Sequence, residues 1–241
     1  MTTEPVLLTA VRSAVMTLTL NRPEVRNALS PELITALGTA LTRLEDDNGI
    51  HVAVITGAGT AFCAGLDLTV FGAAEADTSS ARALINRFGR LSKPVIGAVN
   101  GPAVTGGLEL ALGCDFLIGG PTAAFVDTHR TVGAFPGGGL SARLPRSVGI
   151  RTAKAMSLAG LRLDADSALR CGLLTEVVDA ANLLPRTSEL ALATAETNQS
   201  YIRSVRKLYD ENTDRSLAAA LQAEHGEHRR WRDTQPRQWR R

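Results

Sequence analysis

The sequence predicts an α/β fold with a helical C-terminal region, and three observations predict it. Strand-like and helix-like segments alternate through roughly the first 130 of the 241 residues, the order expected of α/β units. Two short runs, "VAVIT" (52–56) and the one within "KPVIGAVNG" (93–101), are apolar without alternation, as strands covered on both faces are. From about residue 182 onward the pattern is mostly helical.

The elements follow in order. "VLLTAVRSAVMTLTLNRP" alternates, is rich in β-branched residues, and reads as two short strands stopping at Asn21-Arg22-Pro23. "SPELITALGTALTRLEDD" predicts an amphipathic helix. Ser30 is its N-cap, Pro31 its first residue, Glu32 sits in its first turn, and Leu33, Leu37, Leu41 and Leu44 recur at helical spacing. Gly57 and Gly59 close the strand at 52–56. Residues 69–80, "TVFGAAEADTSS", read as a mobile loop and 81–91 as a helix. "LELALGCDFLIGG" predicts a helix leading to a strand. "AAFVD" reads as a strand, followed by a Gly/Pro-rich turn at 133–139. Helical patterns occupy about 141–147, 151–159 and 164–171, and "LTEVVD" is a short strand. There is no internal repeat and no clear linker.

Composition bounds the function. Hydrophobic residues at 44% and charged residues at 21% suit a globular enzyme with a substantial core. A net charge of +2 gives no general affinity for nucleic acid. The segment Arg229–Arg241 carries six arginines against the single acid Asp233; it suits phosphates, an acidic partner or a solvated chain end. Cys63, Cys114 and Cys171 are sparse, odd in number and without metal-ligand spacing, which predicts a reducing compartment and no bound metal. The N-terminal stretch lacks a long apolar run and does not read as a signal peptide, and nothing approaches a membrane span. The expected location is the cytoplasm.

Two turns carry the chemistry. "FCAGLDL" (62–68) and "VTGGLELALGCD" (104–115) each put small residues and free backbone amides where a strand ends. A dinucleotide loop is the first alternative. It fails because Gly57-x-Gly59-x-x-Phe62 puts phenylalanine where close helix–strand packing needs a small residue. Nor does a Tyr-x-x-x-Lys pair exist: Tyr201 and Tyr209 are followed four residues later by Val205 and Thr213.

Together with "NRPEVRNALS" (21–30), "GAGTAFCAGLDL" (57–68), "AVNGPAVTGGLELALGCD" (98–115) and "VGAFPGGGLSARL" (132–144) resemble the crotonase family of enoyl-CoA hydratases and isomerases, in order and in spacing. The resemblance spans roughly residues 5–180. It implies a spiral of ββα units, with residues 1–180 as an acyl-CoA-binding core and 181–241 as a helical oligomerisation region. It implies hydration of 2-enoyl-CoA thioesters, with isomerisation, thioester hydrolysis or idle acyl-CoA binding as alternatives. No cofactor is implied beyond the coenzyme A that belongs to the substrate.

By matched position, the amides of Leu66 and Gly106 hold the thioester oxygen as it gains charge. Backbone N–H groups at such turns lack internal partners, and glycine lets a ligand approach. Glu109 matches the first of the family's two catalytic glutamates. The second position departs from the pattern and is His129, within "FVDTHRTVG". Imidazole titrates near neutral pH and keeps an acid–base group there. On a strand running from 125 to 129, Asp127 and His129 point to one side, so Asp127 could orient the ring. His51, His225 and His228 have no such context.

For substrate binding, the resemblance assigns Val25, Arg26 and Ala28 on the early loop and Ala64, Gly65, Leu66 and Asp67 at the first turn. It adds Gly107 at the second turn, Asp127, and Gly137 in the later Gly/Pro-rich turn. Arg26 is the candidate phosphate contact, with a solvated loop arginine as the alternative. Val70, Phe71, Leu84, Phe88 and Phe135 are expected around the acyl chain, unless they belong to the core. Relatives form trimers or dimers of trimers, so a homotrimer or hexamer is expected. Trp231 and Trp239, among the terminal arginines, suit a subunit interface or a cover over coenzyme A. The expected partner is the acyl-CoA substrate, with neither nucleic acid nor membrane.

Overall fold

The computed structural model describes residues 4–73 and 76–234. The chain begins with β1 (Leu7–Arg12) and β2 (Val15–Leu20), a hairpin whose two-residue turn, Ser13-Ala14, has both φ values positive (49° and 63°). That turn matches the twist of the flanking strands. Next come α1 (Pro31–Asp46), β3 (Val52–Gly57), α2 (Leu68–Phe71), α3 (Ser79–Phe88), β4 (Val95–Val99), β5 (Pro102–Val104) and α4 (Gly106–Ala111). The middle of the chain forms β6 (Phe116–Gly119), β7 (Ala124–Val126), α5 (His129–Val132), α6 (Leu140–Val148) and α7 (Ile150–Lys154). A π-helical turn, Ala155–Ala159, follows directly on α7. The remainder is β8 (Leu163–Asp164), α8 (Ala165–Arg170), β9 (Glu176–Val177), α9 (Leu183–Glu196), α10 (Gln199–Asn212) and α11 (Leu217–Thr234).

Six strands form one sheet in the order β1-β2-β3-β4-β6-β9, parallel except for β1. Three more form a second sheet, β5-β7-β8, in which β5 and β7 run parallel. The apolar run at 52–56 has the predicted cause: both faces of β3 are covered. Ala53 and Ile55 join the main core with Leu33, Leu37 and Phe62. Val52 and Val54 join a second cluster closed by Leu183, Ala191 and Ala195 of α9.

Helix α1 is held at both ends. Ser30 Oγ accepts from the Leu33 amide at 3.2 Å. At the other end the buried Lys93 ammonium donates to the carbonyls of Leu44 (2.7 Å) and Asp47 (2.8 Å). A cation there suits the negative end of the helix dipole. Burial pulls the Lys93 pKa down, while Glu45 and Asp47 oppose that pull.

The structure corrects four local expectations. Residues 69–71 are the end of the helical turn α2, because Asp67 accepts from the Thr69 amide and caps it. Helix α3 stops at Phe88, with Gly89 as its C-cap. The strand at 124–126 does not reach residue 129, because Asp127 accepts the His129 amide at 3.0 Å and turns the chain into α5. The helix at 151–159 widens into a π-turn. Trp231 packs edge-on against Tyr201 of α10 at 5.6 Å between centroids; Trp239 lies outside the described residues.

Ser30→Ala is expected to cost about 1 kcal/mol through loss of the cap, and Leu37→Ala about 2–5 kcal/mol through the cavity it leaves. Urea midpoints at constant slope measure both; a Ser30→Ala variant as damaged as Leu37→Ala would contradict the capping role.

Candidate active site

Three chain segments end side by side. Cys63 bridges Ala103 in parallel, with the Phe62 amide donating to Pro102 O (3.1 Å) and the Val104 amide to Cys63 O (2.9 Å). Val104 in turn pairs with Val126 in parallel. The exits at Leu66, Gly106 and His129 therefore open at one end.

At the first two exits the backbones approach closely. Gly65 has φ +93°, and a Cβ there would sit 3.2 Å from the Gly106 nitrogen. A Cβ on Gly106 would sit 3.5 Å from the Leu66 nitrogen. Position 65 needs glycine for its positive φ and its close approach to Val104 O (2.9 Å from an added Cβ), while a Cβ on Gly106 would make only ordinary contacts. The bridge between Leu29 and Leu66 uses the Leu29 and Asp67 amides and leaves that of Leu66 out. Gly106 opens α4, where an amide has no partner within its helix. Among the described residues neither N–H has a protein acceptor. Gly107 packs its Cα against Cys63, whose carbonyl oxygen would lie 2.1 Å from an added Cβ; its role here is close packing. Burial pushes the Cys63 thiol up to about 12 against a hydrogen bond from the Gly65 backbone, so it is no nucleophile at neutral pH.

Glu109 lies in the first turn of α4 and is 4% exposed. Its Oε1 accepts from the amides of Gly138 (2.8 Å) and Leu140 (3.2 Å). This fixes the carboxylate while its other oxygen keeps its lone pairs. Arg143, which sequence reasoning missed, attracts it through space and donates to Gly138 O at 3.3 Å.

His129 is buried, with Nδ1 2.7 Å from Asp127 Oδ1. With Nδ1 donating in this contact, Nε2 is the ring nitrogen left without a protein partner among the described residues. The contact anticipated from strand alternation exists, but a turn makes it. Burial works against ionisation of Asp127, yet the nearby Ser157 hydroxyl and the hydrogen bonds from the amide and ring of His129 hold its carboxyl below the ordinary range. Ser157 lies on the π-helical turn; no signal in the sequence marks it.

The early loop is stitched to the first exit. Arg26 O accepts from Ala64 N (3.0 Å), Gly65 O from Leu29 N (2.8 Å) and Leu29 O from Asp67 N (3.1 Å). Fully buried Asn27, another residue missed, sits at φ 58° and donates to the carbonyls of Ala58 (2.9 Å) and Ala61 (2.8 Å). Its oxygen accepts from Arg22 N at 2.9 Å. Its signal was the asparagine tolerance of left-handed backbone. The Asp67 carboxylate is engaged by Thr69 and by Arg22 at 2.9 Å, so its side chain braces the loop. Val25 and Arg26 stand exposed on the rim, and Ala28 is buried beneath it.

The acyl-chain expectation divides. Leu84 and Phe88 are core residues, because α3 turns its apolar face inward. Phe71 is partly buried against that core. Val70 is exposed, and Phe135 is 93% exposed, so it lines no enclosed pocket within this chain. Gly137 O accepts from Asn86 of α3 at 3.1 Å.

The model of the enoyl-CoA hydratase/isomerase family matches residues 10–238. The chain belongs to that family. It is 43% identical over 195 residues to a probable enoyl-CoA hydratase, EchA14, of Mycobacterium tuberculosis, covering 79% of this chain and 74% of that protein. Over 202 residues it is 39% identical to the 1,2-epoxyphenylacetyl-CoA isomerase of Escherichia coli, covering 79% and 77%. Among solved structures, the enoyl-CoA hydratase of Bacillus anthracis superposes with a TM-score of 0.87 at 31% identity, covering 93% of this chain and 90% of that one. The crotonase fold expected from the four sequence blocks is the fold observed.

Asp67 gives a pH prediction. The Thr69 hydroxyl lowers its pKa most; burial opposes this, and Arg22 adds to the lowering. A depressed native pKa adds stability above the unfolded value of about 3.9, and that stability is lost as pH falls through the native value. The stability gap between wild type and Asp67→Asn should therefore be full at pH 7 and shrink below about pH 4. Urea midpoints across that range measure it, and a gap independent of pH would contradict the depressed carboxyl of Asp67.

Proposed function

We propose that this family member is an enoyl-CoA hydratase that adds water across the 2,3 double bond of 2-enoyl-CoA thioesters. The single observation that carries the reading is the pair of adjacent amides, Leu66 and Gly106, beside a fixed buried carboxylate. In this mechanism the thioester oxygen lies between the two N–H groups. Glu109 takes a proton from water through its unbonded oxygen, and hydroxide adds to the β-carbon. The π electrons move to the thioester oxygen, where the two amides stabilise the enolate; one such donor is worth about 3–4 kcal/mol. Protonated His129, its charge balanced by Asp127, gives the α-carbon a proton from Nε2. The proton held by Glu109 then returns to His129 through solvent, which resets both groups.

Val25, Arg26, Ala28, Ala64 and the backbone of Asp67 are the proposed coenzyme A contacts. Their support is the stitching of the early loop to the first exit. Free cysteines support a cytoplasmic location, and among the described residues no helix is long and apolar enough to cross a membrane. Exposed Phe135, Leu158 and Leu217 support self-association as a homotrimer or dimer of trimers, with the helices after residue 181 contributing. No cofactor is required by these steps.

Isomerisation is the second reading. It is favoured by the histidine at the second acid–base position and by the similarity to an isomerase, since shifting a double bond needs only one well-placed base.

The test is turnover of crotonyl-CoA and longer 2-enoyl-CoAs, followed by loss of enoyl absorbance, beside 3-enoyl-CoAs for the isomerase reading. Glu109→Gln should lower kcat by about 10²–10⁴ while leaving acyl-CoA binding largely intact. Wild-type rates in Glu109→Gln would refute the assignment. Tight acyl-CoA binding with no turnover of either substrate would identify an idle binding protein.

A further inference from the structure

The residue before each of two proposed reacting groups is tied to the other. Thr105 precedes Gly106, and Thr128 precedes His129. Thr105 has φ 50° and ψ −105°, a conformation that a β-branched residue avoids. Three bonds to the 126–128 segment hold it there. Its amide donates to Val126 O at 2.8 Å, its Oγ1 accepts from the Thr128 amide at 3.0 Å, and the two threonine hydroxyls share a hydrogen bond.

Geometry gives these bonds a consequence. The ψ angle of Thr105 sets the plane of the 105–106 peptide, and so the direction of the Gly106 N–H. The ψ angle of Thr128 (9°) does the same for the peptide entering His129. Neither hydroxyl is needed to complete a helix or a sheet: Thr105 offers α4 no side-chain cap and Thr128 offers α5 none. Strained backbone persists only where its surroundings over-determine it, and it gathers where function needs a fixed direction.

We propose that Thr105 and Thr128 are positioning residues, a clasp that fixes the aim of the Gly106 amide relative to the His129 imidazole. They touch no reacting atom. The clasp acts through groups whose catalytic use rests on the hydratase reading above. Groups that hold a reacting shell in place typically matter by about ten- to a hundred-fold.

Thr105→Val keeps the β-branched shape and removes Oγ1; Thr128→Val removes the partner hydroxyl from unstrained backbone; Thr105→Ser keeps the hydroxyl. Each valine variant should lower kcat for crotonyl-CoA about ten- to a hundred-fold with KM nearly unchanged, and Thr105→Ser should restore most of the rate. The double valine variant should be no slower than Thr105→Val alone, because that variant already removes the hydroxyl bond that Thr128→Val removes. Costs that multiply, or valine variants with wild-type kcat, would overturn the clasp. Should Thr105→Val fail to fold, Thr128→Val and Thr105→Ser carry the same comparison.

A second readout separates this inference from the reaction itself. The Gly106 amide proton is followed by NMR as acetoacetyl-CoA, an enolisable thioester, is added. A downfield shift in wild type that shrinks in either valine variant supports the clasp; an equal shift in all of them, or none in wild type, overturns it. If wild type fails to turn over enoyl-CoAs, the hydratase reading falls, and the clasp is then judged on this NMR result alone.

Discussion

The site depends on one constraint: three chain segments run parallel and in register, so their ends fall at one edge. Cys63 lies beside Ala103, and Val104 beside Val126. A one-residue slip in either pairing would reverse which side chains point inward, and it would carry Leu66, Gly106 or His129 away from the others. The pairings are short, so the glycines at the exits matter as much as the ladders. Gly65 and Gly106 let the two backbones approach, and a Cβ on either would enter the space beside the amide nitrogen at the other exit.

Buried charge in this molecule is placed where backbone dipoles meet it. Glu109 rests one oxygen on two loop amides, and Lys93 closes α1 on two carbonyls. Asp127 gathers the amide and ring of one residue and the hydroxyl of Ser157. Leaving any of these charges unpaired in the interior would cost several kcal/mol, so each also pins the loop that satisfies it. Glu109 pins 138–140 over α4, Asp127 ends β7 and starts α5, and Asp67 joins Arg22 to the first exit. The groups assigned to chemistry are thus also anchors of the loops around them.

Much of this was legible in the chain before its structure. Helix α1 declared itself by leucine spacing and by Ser30-Pro31, because those signals are local and helix-specific. The buried strands were visible as unbroken apolar runs, since both faces of β3 are covered. Asp127 and His129 were anticipated as neighbours, but from strand alternation. The aspartate itself breaks that strand, because its carboxylate competes for the backbone amide two residues on. Leu84 and Phe88 looked equally suited to a ligand pocket or a core, since apolarity does not say which side of α3 faces inward.

By itself the sequence determined the long amphipathic helix α1, the buried strands, the family and the two glycine-rich turns. Each of these is written in contiguous residues whose spacing, size or backbone freedom is legible locally. Only the tertiary structure decided that Ser157, Arg143, Asn27 and the Thr105–Thr128 pair belong to the same neighbourhood. Serine, threonine, asparagine and arginine carry the same donors and acceptors on a surface as in a site. What distinguishes these residues is partners 20 to 35 positions away for Thr105, Asn27, Ser157 and the Arg143–Glu109 pair, and the chain brings them together only when its parallel segments have packed.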